Sequence, residues 1–150
     1  MNAMNPEPRP NARLVIDLTA LRRGVVAGAV VLVPVSVLGA LLKHDRKSGN
    51  GTLLFFLFVA ILYGYATAGY GAARTRPESP LSHGILAGLG ALIVWFAVSV
   101  TVRLARGEHL GFGVVAVVTN ALFAVALGAL GGLLAARKGP TAVGSSPDPD

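Results

Sequence analysis

The stretch from Thr52 to Ala73, TLLFFLFVAILYGYATAGYGAA, contains no Asp, Glu, Lys or Arg. At 1.5 Å rise per residue its 22 positions make a helix about 33 Å long, close to the hydrocarbon thickness of a bilayer. A helix on a water-soluble protein keeps a polar face. This one has only isolated hydroxyls among Leu, Phe, Val and Ala, so it reads as a membrane span. Three further stretches repeat the pattern: Gly24 to Leu42, Leu81 to Val102 and Phe112 to Ala136. The expected fold is all-α, a membrane four-helix bundle of two antiparallel transmembrane hairpins over residues 14–138. Residues 1–13, with Pro6, Pro8 and Pro10, and the tail 139–150, ending SSPDPD, are expected to be disordered.

Composition agrees with that solvent. Of 150 residues 53% are hydrophobic and 13% charged, about half the charged share of an ordinary soluble domain. With no Cys, disulfides, thiolate metal sites and Cys nucleophiles are excluded. The net charge of +6 would suggest nucleic acid in a soluble chain. Here the basic residues sit in short clusters beside the apolar runs, a pattern suited to topology control and an anionic leaflet. The partner expected from this is the lipid bilayer, with this chain itself or a larger membrane complex beyond it, and no nucleic acid.

Between the spans lie three polar turns, HDRKSGNG (44–51), RTRPESP (74–80) and RLARGEHLG (103–111). Ahead of the first span, Leu14, Leu18, Leu21 and Val25 share one helical face, and Asp17 is placed to cap a helix beginning at Leu18. This segment is either a short interfacial helix or an extension of the first span. Leu38-Gly39-Ala40 is a poor cleavage site, so the segment is expected to remain as an uncleaved anchor. Pro34 removes one backbone hydrogen bond in mid-span and predicts a kink.

Glycines carry the packing signal. Gly24/Gly28, Gly84/Gly88 and Gly128/Gly132 are three GxxxG pairs, whose flat grooves let helix backbones approach closely. With four helices to pack, their use within the monomer is favoured. The first and third spans both open Gly-x-x-Ala-Gly. The second and fourth close Gly-x-x-Ala-Ala-Arg, at Gly69–Arg74 and Gly132–Arg137. A tandem hairpin repeat about an axis along the membrane normal accounts for this, as does chance among Gly- and Ala-rich helices.

Chemistry-bearing residues are few. Tyr63, Thr67 and Tyr70 share a face of the second span, and Asn120 is the one amide within any span. Ser36, Tyr63, Thr67, Ser99 and Asn120 are grouped as a candidate polar cluster, serving interhelical hydrogen bonds in preference to a solute path, since ion paths usually keep an ionisable group in the membrane. His44-Asp45 and Glu108-His109 lie on one predicted side and have zinc-ligand chemistry, but solvated turn residues are the expected state. His83 is on the opposite side and cannot join them. Trp95 sits near mid-span, away from an interfacial belt. No Walker loop, HExxH, nucleophile elbow or CxxC is present. The chain is therefore expected to be no enzyme, with no catalytic residues, cofactor or metal.

In architecture and composition, residues 14–138 resemble the small, functionally unassigned four-helix integral membrane proteins of bacteria, which implies a multi-pass location in a bacterial plasma membrane. Two other four-helix families match less well. Small multidrug transporters carry a Glu in their first span, whereas no span here is acidic. Fluoride channels carry an Asn in the second span and a Gly-Gly-x-x-Gly-Ala-x-x-Arg start. Here Asn120 is in the fourth span, and Gly131–Arg137 lies at its end. The expected role is that of a structural or accessory membrane protein, with a small solute transporter or channel around Asn120 as the alternative.

Four spans place both termini on one side. That side has eight basic residues, at positions 9, 13, 22, 23, 74, 76, 137 and 138, against five at 43, 46, 47, 103 and 106. The positive-inside rule then puts both termini in the cytoplasm. Reporter fusions at Ser48 and at Glu108 are both expected to read as external; a cytoplasmic reading at both would invert the topology.

Overall fold

The computed structural model describes residues 16–42, 51–107 and 113–138. Within them the chain forms four helices: α1 (Leu18–Leu42), α2 (Gly51–Ala73), α3 (Pro80–Ala105) and α4 (Val114–Arg137). All four are long and apolar enough to cross a membrane. Asp17 caps α1. Its Oδ1 accepts the N–H groups of Thr19 at 2.8 Å and Ala20 at 3.3 Å, so the segment ahead of the first span extends it from Leu18. The helix continues through Pro34 without interruption. Pro80 opens α3 at a position where its missing N–H is harmless. Gly107, at φ 66°, ends α3 in the left-handed conformation, its N–H returning to the Leu104 carbonyl at 3.0 Å.

The packing is inverted relative to a water-soluble bundle. The buried positions are Ala20, Gly24, Gly28 and Leu32 on α1, and Gly64, Tyr65, Ala68, Gly69, Ala72 and Ala73 on α2. On α3 they are His83, Gly84, Ala87, Gly88 and Ala91, and on α4 Ala124, Gly128, Gly131, Gly132 and Ala135. The exposed residues include Leu54, Phe55, Phe56, Ile93 and Val115, each more than 60% exposed. In water, burying Ala while exposing Phe would discard most of the hydrophobic driving force. In lipid no such force acts between helices, and close backbone approach decides the interface.

Every helix touches every other except α1 and α4. The cross-section is therefore a rhombus, with α2 and α3 on its short diagonal. An ideal Cβ at Gly24 would lie 2.5 Å from the Ala68 carbonyl oxygen and 2.7 Å from the Ala72 Cβ; one at Gly84 would lie 2.5 Å from the Gly128 oxygen and 3.1 Å from the Gly132 Cα. Gly28 meets Gly64 and Ala68, and Gly88 meets Ala124 and Gly128. Both partners of each pair are displaced by the same 60 residues, so the two hairpins share one contact register. Two details differ from the sequence expectation. The contact equivalent of Gly132 is Ala72, so the closing Gly69–Arg74 and Gly132–Arg137 motifs stand nearly a helical turn out of register. And a two-fold axis along the membrane normal would make α1–α4 equivalent to α2–α3, yet only the second pair touches. The hairpins lie side by side, α1 beside α3 and α2 beside α4.

The close contacts concentrate where α1 and α3 begin and α2 and α4 end. At the opposite end all residues from Gly113 to Thr119 are exposed, as are most from Gly51 to Phe56, so the helices converge where α1 begins and α4 ends and separate at the far end.

A Cβ at Gly69 would overlap the Gly128 carbonyl oxygen, and one at Gly88 the Ala124 oxygen. Backbone cannot step aside as a rotamer can, so Gly69→Ala and Gly88→Ala should each destabilise the monomer by about 1–3 kcal/mol. Gly39→Ala, whose Cβ would meet only Leu57 Cδ1 at 3.8 Å, should be neutral or mildly stabilising. Thermal unfolding of the three variants in one detergent checks the ordering; loss of oligomer with an unchanged midpoint would contradict it.

Candidate functional site

At the convergent end, the capping residue Asp17 also joins three segments. Its Oδ2 accepts a hydrogen bond from Arg76 Nε at 2.8 Å, linking the start of α1 to the α2–α3 turn. Its backbone N–H donates to His83 Nε2 at 3.3 Å. His83, in the first turn of α3, is 2% exposed. Its Nδ1 lies 2.8 Å from Ser79 Oγ and 3.1 Å from the Ser79 carbonyl oxygen. Through these contacts the His83 ring ties the start of α1 to the α2–α3 turn. The Arg76 guanidinium, helped by the Ala20 and Thr19 N–H groups, holds the Asp17 carboxyl below its ordinary value. Asp17 in turn, with Glu78 3.7 Å away, pushes Arg76 up.

At the divergent end a cavity of about 390 Å³ lies between all four helices. Its walls are apolar: Val35 and Gly39 from α1, Leu57, Phe58 and Ile61 from α2, Val102 from α3 and Ala116 from α4. Trp95 lines it and also packs on the buried core. Ser36 and Ser99 face it at mid-depth, and Arg103 and Arg106 line it near the end of α3. Arg106 donates to the Ala40 carbonyl oxygen, one of the acceptors left open at the end of α1. Below it, Tyr65 is fully buried, and its hydroxyl makes no hydrogen bond.

The candidate polar cluster divides. Ser36 and Ser99 share the cavity, whereas Tyr63, Thr67 and Asn120 do not line it. Tyr63 is 63% exposed on the outer surface. Every other member bonds back into its own helix: Ser36 to Leu32, Thr67 to Gly64, Ser99 to Trp95 and Asn120 to Ala116. The buried tyrosine is Tyr65, two positions on from Tyr63 and on the opposite side of α2 from the Tyr63–Thr67–Tyr70 face. His44, Asp45, Glu108 and His109 lie outside the described residues, and among those described no acidic or histidine cluster could hold a metal. The Asp17–Arg76–His83 tie joins residues from separate segments; only the capping role of Asp17 had a sequence signal. No known protein family matches the chain, and no curated protein or solved structure is similar to it.

A carboxyl held below its ordinary value of 3.8 adds stability at every pH above that value, and loses it as pH falls through the depressed one. Thermal stability in detergent should therefore decline below about pH 4, with Asp17→Asn flattening that decline and lowering the midpoint at neutral pH. An acid limb identical in the variant would remove Asp17 as its source.

Proposed function

We propose that this chain is a multi-pass plasma-membrane protein with a structural or accessory role, both termini cytoplasmic, and without enzymatic activity of its own. The observation that carries this is the seal at the convergent end. There Gly24, Gly69, Gly84, Gly88 and Gly128 bring backbone against backbone, which leaves no room for a polar path along the bundle axis. Ser36, Thr67, Ser99 and the Asn120 amide each donate to their own helix, which argues against a continuous ladder of polar groups among the described residues. The outer surface supports the same reading, being large and apolar over both hairpins and suited to lipid or to a neighbouring helix.

One observation favours the alternative, a small solute transporter. The cavity beside Ser36 and Ser99 is a half-path from one face, which would need the glycine seal to part. Purification from native membranes in a mild detergent should recover a stoichiometric partner under the accessory reading. Solute flux in proteoliposomes containing the chain alone, abolished by Gly39→Leu, would replace it with the transporter reading.

A further inference from the structure

The seam between α1 and α2 at the convergent end carries positive charge that the ion pairs there leave unanswered. A Cβ at Gly71 would lie 3.3 Å from the Ala27 Cβ, 3.4 Å from the Gly24 Cα and 3.8 Å from the Arg23 carbonyl oxygen, so Gly71 is level with the stretch of α1 between Arg23 and Ala27. Arg74 follows Gly71 by three positions on the same side of the helix, its N–H returning to the Tyr70 carbonyl at 3.0 Å. Counted at about 1.5 Å per residue from that contact, Arg23 and Arg74 stand at nearly one depth, at the end of the spans. Both are exposed.

The chain's acids do not balance this charge. On the side where α1 begins and α4 ends, the sequence has five acids, at positions 7, 17, 78, 148 and 150, against its eight basic residues. Asp17 pairs with Arg76 at 2.8 Å, and Glu78 stands 3.7 Å from the same guanidinium. Three acids are then left for seven basic residues, so an excess of cations persists wherever those three lie. Among the described residues no carboxylate pairs with Arg23 or Arg74.

We propose that Arg23 and Arg74 hold the phosphate of one anionic phospholipid at the α1–α2 seam. Guanidinium groups match phosphate with charge-assisted, frequently bidentate hydrogen bonds. For side chains at the end of a membrane span, the phosphate within reach is that of the surrounding leaflet. Deeper on the same helix faces, Val30 on α1 and Tyr63 on α2 are 69% and 63% exposed, and the acyl chains run over them. Charge favours the lipid over a second copy of this chain, which would bring a like-charged end against this one. The inference rests on the multi-pass membrane reading and holds for the accessory and the transporter role alike.

The test is native mass spectrometry of the full chain, released from detergent micelles doped with equal amounts of phosphatidylglycerol and phosphatidylcholine of the same acyl chains. One phosphatidylglycerol should be retained in preference, and glycerol phosphate should not displace it. Arg23→Gln and Arg74→Gln should each cut that retention about fivefold, the weight of one cation at an anionic surface, while circular dichroism shows the helices intact. Arg137→Gln, at the end of a helix that does not touch α1, should leave it unchanged, as should Asp148→Asn with Asp150→Asn. Equal retention of the two lipids, or an equal loss in Arg137→Gln, would reduce the site to a diffuse basic surface and overturn the proposal. Displacement by glycerol phosphate would overturn it in favour of a soluble phosphate, and a gain on neutralising Asp148 and Asp150 in favour of the tail. A chain folded and monomeric in plain buffer would sink the membrane reading itself, which a loss of lipid selectivity alone would not.

Discussion

Two helix backbones can come into contact only where the side chains at the crossing are absent or no larger than a methyl. That constraint organises this protein. Gly24 and Gly28 admit α2 and α3 to α1, Gly84 and Gly88 admit α4 to α3, and Gly69 and Gly128 bring α2 against α4. The gain at each crossing is dispersion between many atoms, which falls away steeply with a gap of less than an ångström. The large side chains, displaced from these crossings, face outward. The inversion that would unfold a protein in water is therefore the arrangement that suits it to lipid.

The two ends of the bundle divide the remaining work. Where α1 begins and α4 ends, glycine contacts are supplemented by a polar tie, with Asp17 serving at once as helix cap, ion-pair partner of Arg76 and backbone donor to His83. These groups sit at the margin of the spans, where charge can be solvated. At the far end larger side chains keep the helices apart, and the space between them is bordered by Arg103 of α3 and by Arg106, which follows it. Trp95 belongs to both regions, part of the core below and of the cavity wall above.

The fold was legible because its signals are local. Uncharged runs longer than a bilayer needs identify the spans, and helix ends agree with them to within a few residues, except that α1 starts six residues earlier than Gly24. Asp17 as a cap was readable from its place before an apolar periodic run. The partners across helices were not readable, because the rotation of each helix about its own axis depends on all its neighbours at once. Thus Tyr65 is buried while Tyr63, two positions earlier, faces outward. Ser36 and Ser99 meet in one cavity, but Asn120, on the same level, turns back to Ala116. His83 illustrates a further limit. Its role follows from a backbone N–H donated by a residue 66 positions away, and nothing in residue type or spacing announces such a bond.

The convergence of the helices at one end has a consequence for the surrounding membrane. A body slimmer in one leaflet than in the other excludes unequal areas of the two monolayers, and the sheet can accommodate that inequality by bending. The glycines that seal one end of this bundle thereby give it a tapered outline, narrower where α1 begins and α4 ends.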